Sequence, residues 1–330
     1  MAFISQTGIG ARRLITRGNR VGIRFSKTAS YGNAIDLDAP DFLEYLVDDS
    51  ETKYVICYIE GVKDGQRFFA AMKKCAQNKP VVLLKGGLTE SGAGATLSHT
   101  GSLSGSKEIW SAFIHQTGVI PVGTFEEAEC QLLALTHLVL PKGSRVGVVG
   151  RGGGPGVVAS DMCERVGLSV PELLPETRGK LAKITVAGLG SSIRNPVEIG
   201  LGPLGIAEHY AEALKIVGAD PQIDIVIAHL DPDGHGLIDP DGYGLTGSQG
   251  GWTRGVMHAL LEAKTALLKP LALVIVPGQT AEAFASTLEF QNKCLAEGLA
   301  VFPSMDAAVK AMAKLAQYYK FISQRKYEKC

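Results

Sequence analysis

Short apolar runs rich in β-branched residues punctuate the first 140 positions: AFIS (2–5), VGIRFS (21–26), YVICYIE (54–60), PVVLLK (80–85) and VIPV (119–122). Between them the apolar positions recur at helical spacing, in DFLEYLVDD (41–49), QRFFAAMKKCAQN (66–78) and SKEIWSAFIHQTG (106–118). Strands buried on both faces read as continuous apolar runs, and their alternation with amphipathic stretches predicts βαβ units. A further helix is expected from Phe125 to Leu140 and ends at Pro141-Lys142-Gly143-Ser144, because proline and glycine together stop a helix.

The pattern then restarts. RVGVVG (145–150) reads as a strand, RGGGPG (151–156) as a turn and VVASDMCERVG (157–167) as a helix. Later strands are expected at IDIVIAHL (223–230), LALVIVP (271–277) and LAVFP (299–303), with helices over 205–218, 281–298 and 305–324. The expectation is an α/β protein of two doubly wound domains, residues 1–140 and 141–330, each with a mainly parallel sheet. Strand order does not follow from such a pattern.

Composition narrows the function classes. Lys plus Arg equals Asp plus Glu at 33 each in 330 residues, and no basic block occurs. Nucleic acid and anionic membrane are therefore not expected partners. The six cysteines form no CxxC or Cys/His cluster, which fits a reducing compartment. MAFISQTG lacks the features of a signal peptide, and no run of about 18 apolar residues exists. A cytoplasmic protein is expected.

Both halves open with a strand, a small-residue turn and a helix: AFIS-QTG-IGARRLI and VGVVG-RGGGPG-VVASDMC. The first-turn N–H groups of a helix have no partner within the helix and sit at the positive end of its dipole, so such turns bind anions, phosphate especially. The turns are equally what any doubly wound domain needs to connect strand to helix. Neither matches G-x-G-x-x-G, and no GK[ST] follows, so no nucleotide fingerprint is present.

The segment GGLTESGAGATLSHTGSLSGS (86–106) holds six glycines, five serines and one imidazole, His99. It exceeds a usual βα connection, and His99 is expected outside regular structure. No ligand-type residues surround it for a metal site, and GSLSG (101–105) does not follow a strand as a nucleophile elbow does. An imidazole here is either a solvent-exposed bystander or a phosphoryl acceptor served by nearby helix ends and a carboxylate.

At this point the residues resemble a family. LKGGLTESGAGATLSHTGSLSGSKEIWSAFIHQTGVI (84–120) is similar to the phosphohistidine segment of ADP-forming (NDP-forming) acyl-CoA synthetases, relatives of succinyl-CoA synthetase, with SHTGSL as its specific core. FISQTG (3–8), YLVDDSETKYVICYIEGVKDG (45–65), GGGPGVVASD (152–161) and NPVEIG (195–200) agree in order. The resemblance implies two flavodoxin-like ligase domains and a reversible acid–thiol ligation through an acyl phosphate and a phosphohistidine. It implies that His99 carries the phosphoryl group within the loop residues Ser98, Thr100, Gly101 and Ser102, and that Glu60 holds the other imidazole nitrogen. Ser5, Gln6, Thr7 and Gly8 from the first domain, and Gly153, Gly154 and Gly156 from the second, would receive phosphate.

The family also uses a CoA-binding domain and an ATP-grasp module, neither of which is present in these residues. The expected partners are thus an ATP-grasp subunit and a CoA-binding subunit or domain in a hetero-oligomer. They would bind CoA and ATP or ADP with Mg²⁺, with inorganic phosphate and a small carboxylic acid as the other reactants. The alternative is a phosphate-binding scaffold or regulator that lost those partners. Arg151 precedes the glycines where a neutral residue is usual, and Glu198 stands in NPVEIG where aspartate is commoner. The stretch 229–252 carries Asp231, Asp233, His235, Asp239 and Asp241, but its twelfth position from Asp231 is Gly242, so it is no EF-hand. It reads as a surface excursion of Asp-Pro and Asp-Gly turns.

Overall fold

The computed structural model describes residues 1–100, 105–150, 153–185, 192–199, 206–230 and 251–328. The chain separates into two compact units, Met1–Leu132 together with the segment from Phe321, and Leu133–Lys320.

The first unit runs β1 (Ala2–Ser5), α1 (Gly8–Arg20), β2 (Lys27–Ser30), α2 (Ala39–Asp48), β3 (Val55–Ile59), α3 (Gly65–Asn78), β4 (Val81–Lys85), α4 (Glu90–Thr100), α5 (Lys107–Thr117), β5 (Ile120–Val122) and α6 (Phe125–His137), the last crossing into the second unit. Its five strands are parallel in the order β2-β1-β3-β4-β5. That is the flavodoxin-like order, which places a topological switch between β1 and β3. Val55, Cys57, Ile59, Val81 and Leu83 on one sheet face pack against Leu43 and Leu46 of α2, Phe68 and Met72 of α3 and Trp110 of α5. Fully burying each large side chain contributes roughly 1.5–3 kcal/mol. Phe68 stacks on Phe113 at 5.1 Å between ring centroids, and Trp110 meets Phe113 edge-on at 5.2 Å.

The second unit repeats the plan with β6 (Val146–Gly150), α7 (Gly153–Arg165), α8 (Pro175–Ile184), β7 (Val197–Glu198), α9 (Ile206–Ala219), β8 (Ile225–Leu230), α10 (Gly251–Ala266), β9 (Leu271–Ile275), α11 (Ala281–Ala296), β10 (Ala300–Phe302) and α12 (Met305–Glu328), whose last residues, from Phe321, belong to the first unit. Its order, β10-β9-β8-β6-β7, is the same arrangement, again parallel throughout, with its switch between β6 and β8. Asn195 braces β6: its Oδ1 accepts from Val148 N at 3.0 Å, and its Nδ2 donates to Val146 O at 2.7 Å and Pro171 O at 2.8 Å. No described helix is long and apolar enough to cross a membrane.

Three expectations are corrected. The run 21–26 is not a strand: Val21 and Ile23 both donate to Gly18 O, at 3.0 and 2.9 Å, and Ile23 is fully buried against the end of α1. These are the hydrogen bonds and the apolar contact that terminate a helix; the edge strand is the more polar KTAS at 27–30. His99 does not fall outside regular structure, because α4 extends to Thr100. Thr89 starts that helix, its Oγ1 accepting from Gly92 N at 3.1 Å and its carbonyl from Ala93 N at 2.8 Å. Finally, α7 begins at Gly153, so Gly153, Gly154 and Gly156 occupy its first turn rather than a preceding loop. Helices α8 and α10 and the short strand β7 have no counterpart among the expected elements.

Candidate functional site

In the first unit the crest of the β1/β3 switch gathers Ser5, Gln6, Thr7, Gly8 and Glu60. Ser5 is fully buried, and its hydroxyl folds the turn by donating to Thr7 O at 2.8 Å and accepting from Thr7 N at 3.1 Å. Thr7 is extended at the N-cap of α1 and provides no side-chain cap, and the first helical bond is Ala11 N to Thr7 O at 3.2 Å. The amides of Gly8, Ile9 and Gly10 thus precede the helical ladder. No acidic residue occupies the first turn, whereas Arg17 and Arg20 lie in the last. The space over Gly8 is open, the nearest atom to a Cβ there being Ser30 Oγ at 3.7 Å. This end of α1 fits an oxyanion.

Gln6 differs from a simple phosphate donor. It is 3% exposed, and its Oε1 accepts from Glu60 N at 2.5 Å and Gly61 N at 3.1 Å. Glu60 follows β3 and is 4% exposed. Its Oε1 accepts from Tyr58 Oη at 2.9 Å, and the Tyr58 ring stacks on Phe125 at 5.4 Å. Burial, then the Glu60 carboxylate, raises the Tyr58 phenol well above its ordinary value, so it stays a hydrogen-bond donor. Gly86 lines the same corner: a Cβ there would lie 3.0 Å from Tyr58 Oη and 3.4 Å from Glu60 Cγ.

Lys85, the last residue of β4, belongs to this corner and was not among the expected site residues. It is 7% exposed. Its Nζ donates to Glu60 O at 2.7 Å and to Gly86 O, and stands 4.8 Å from the centre of the Trp110 ring. Burial lowers its pKa to about 8, with the Glu60 charge opposing. The signal was available: PVVLLK closes an apolar strand with a charge, just as YVICYIE does.

The backbone of His99 belongs to the last turn of α4, while its side chain and that of Thr100, and all of Gly101 and Ser102, lie outside the described residues. Ser98 is exposed and donates to Gly94 O at 3.1 Å.

The second unit has its own crest. Gly153 and Gly154 are exposed in the first turn of α7, and Gly156 is half-buried. A cavity of about 210 Å³ opens among Gly153, Gly156, Ser192, Glu198, His229 and Met305. Glu198 Oε2 would lie 3.4 Å from a Cβ on Gly153. His229, one of the histidines with only a structural reading from sequence, is 9% exposed at the end of β8 beside Gly150. Beneath it the Tyr210 hydroxyl lies 3.1 Å from both Val149 O and His229 O. Arg151 and the stretch 231–250 lie outside the described residues. Among the described residues no three His, Cys, Asp or Glu side chains gather as metal ligands.

The family model described as the succinyl-CoA ligase like flavodoxin domain matches residues 1–135. The alpha subunit of acetate–CoA ligase (ADP-forming) II from Pyrococcus furiosus is 40% identical over 228 residues, 69% of this chain and 49% of that protein. The alpha subunit of acetate–CoA ligase (ADP-forming) I from the same organism is 31% identical, over 99% of this chain and 65% of its own length. A 4-hydroxybutyrate–CoA ligase (ADP-forming) of Nitrosopumilus maritimus is 32% identical over 71% of this chain and 33% of its own length. Among solved structures, dinucleotide forming acetyl-coenzyme A synthetase 1 of Ca. Korarchaeum cryptofilum, in complex with phosphate and ADP, superposes with a TM-score of 0.79 at 27% identity, covering 99% of this chain and 66% of that one. The chain thus spans from a third to about two thirds of the length of these four relatives.

Proposed function

Because residues 1–135 belong to the succinyl-CoA ligase like flavodoxin domains and the chain is homologous to ADP-forming acetate–CoA ligases, we propose that it is the ligase-domain subunit of a nucleoside-diphosphate-forming acyl-CoA synthetase, phosphorylated on His99. The reaction is acid plus CoA plus ATP to acyl-CoA plus ADP plus phosphate, reversibly. One observation carries the reading: the uncapped N-terminus of α1 and the buried carboxylate of Glu60 share one crest.

In the synthetic direction an imidazole nitrogen of His99 attacks the γ-phosphorus of ATP, so that an N–P bond forms and ADP leaves. The acid's carboxylate oxygen then attacks that phosphorus, the N–P bond breaks and the electron pair returns to the ring. The CoA sulfur finally attacks the acyl carbon of the resulting acyl phosphate, and inorganic phosphate departs. Glu60 accepts the N–H of the non-reacting ring nitrogen and stabilises the charge the ring acquires. The first-turn amides of α1 hold the oxygens of PO₃ in the first unit without reorganising, and the amides around Gly153, Gly154 and Gly156 of α7 offer the second unit a phosphate cradle of its own. The described residues offer no nucleotide-binding motif of their own, so ATP with Mg²⁺ and CoA are assigned to an ATP-grasp subunit and a CoA-binding subunit or domain.

The chain assembled with those partners, given γ-labelled ATP and Mg²⁺, should acquire acid-labile, base-stable label. Equal labelling of the His99→Ala chain overturns the assignment. An unlabelled chain that still binds inorganic phosphate supports the scaffold alternative instead.

A further inference from the structure

Glu60 is held by its neighbours at both peptide groups that flank it. From β1, the Gln6 carboxamide oxygen takes the Glu60 N–H and the Gly61 N–H. From β4, the Lys85 ammonium donates to the Glu60 carbonyl at 2.7 Å and to the Gly86 carbonyl. Ile59 and Lys85 are register partners in the β3/β4 pairing, so the lysine arises one residue away from the peptide it holds. A lysine has three N–H donors. Two are spent on carbonyls, and the Trp110 ring lies 4.8 Å from the nitrogen, within cation–π range. Trp110 is itself fixed by the Phe68 and Phe113 rings.

A buried ammonium costs desolvation, and nothing in the folding of the sheet requires one at a strand end where leucine would pack. Its carbonyl partners are those of Glu60 and of Gly86, the two residues bracketing the Tyr58–Glu60 hydrogen bond. We propose that Lys85 is a positioning residue: by clamping the Glu60 carbonyl opposite the Gln6 clamp on its amide, it fixes the Glu60 carboxylate for the imidazole. This rests on the role given to Glu60 above.

Burial holds the Lys85 pKa near 8, which supplies a readout that packing alone would not. The ionisable groups at the ammonium are the Glu60 carboxylate and, bonded to it, the Tyr58 phenol, while α5 presents the uncharged Trp110 ring.

The experiment is single-turnover phosphorylation of the chain by labelled ATP in the assembled complex, followed from pH 6.5 to 10. Lys85→Met should slow phosphohistidine formation roughly a hundredfold, the scale expected for a misplaced catalytic group, with the KM for ATP unchanged. The wild-type rate should fall above about pH 8 as the ammonium loses its proton. Lys85→Arg, which stays charged, should carry no such decline below pH 10. Circular dichroism of each variant verifies folding. A Lys85→Met chain labelled at the wild-type rate, or a Lys85→Arg chain keeping the wild-type alkaline decline, overturns the positioning role while leaving Glu60 in place. If Glu60→Gln is labelled as fast as wild type, the role of Glu60 itself fails, and that of Lys85 with it.

Discussion

Gln6 and Glu60 stand 54 positions apart, yet the carboxamide oxygen of the first receives the backbone N–H of the second. The bond crosses the β1/β3 switch, where α/β sheets place their ligands. It ties the turn that opens α1 to the turn that carries the carboxylate, so the anion-binding helix end and the acidic side chain keep a set separation.

Replacing Gln6 by methionine keeps the side chain's length but leaves the Glu60 and Gly61 amides without their acceptor. Each unsatisfied buried N–H costs about 1–3 kcal/mol. Urea unfolding of Gln6→Met should therefore show a loss of about 2–6 kcal/mol. A variant as stable as wild type would mean the two amides find another acceptor.

A methyl group at Gly86 would press on the Tyr58 hydroxyl at 3.0 Å and the Glu60 side chain at 3.4 Å. Crowding of this kind costs about 1–3 kcal/mol. Gly86→Ala should lower the denaturation midpoint and slow labelling of the assembled complex. Unchanged labelling would show that Glu60 tolerates a shift in Tyr58, to which it is bonded.

Stability should also respond to pH through Lys85. Its folded pKa of about 8 lies below the ordinary 10.5. Between these values the unfolded chain binds more protons than the native one, so stability rises with pH across that window. Below about pH 8 both states are charged and the burial penalty is fully present; above 10.5 both are neutral. Measured as the gap in chemical-denaturation midpoint between wild type and Lys85→Met, the balance should move toward wild type from pH 8 to 10. A gap flat across that range would show that the ammonium is not desolvated.

Asn195 gives a fourth test, in the second unit. Asn195→Ala removes one acceptor and two donors from the backbone around β6. With a net worth near 1 kcal/mol per bond and a penalty for each orphaned group, the expected loss is about 2–4 kcal/mol. Thermal unfolding reads it directly, and a loss below about 0.5 kcal/mol, typical of surface changes, would contradict the bracing role.

The two sheets were legible because their strands are buried on both faces and leave uninterrupted apolar runs, as in VICYI and VVLLK. What went astray had competing physics. VGIRFS has a strand's composition, but Ile23 is consumed in closing α1 over Gly18, and the edge strand beside it alternates half-buried and exposed residues without an apolar signal. Helix α4 is built of glycine, serine and alanine, mostly exposed, so it shows no apolar stripe to betray its period. Only Thr89, at its start, marks it. Of the candidate site, Glu60 was readable as a charge ending a buried strand. The same reasoning reaches Lys85, but an electrostatic partner at another strand's crest emerges only from strand order, which lies beyond pattern.

The ring of Phe321, late in α12, sits where a side chain on Gly118 would otherwise go, and Gly118 is in the left-handed conformation at φ 74°. Phe321 comes almost at the end of the chain, yet it clusters with the first unit. Excising residues 1–135 at the limit of the matched family domain would therefore strip away a wall of the very compartment being isolated. A faithful minimal version of that unit has to be stitched together from both extremities of the polypeptide.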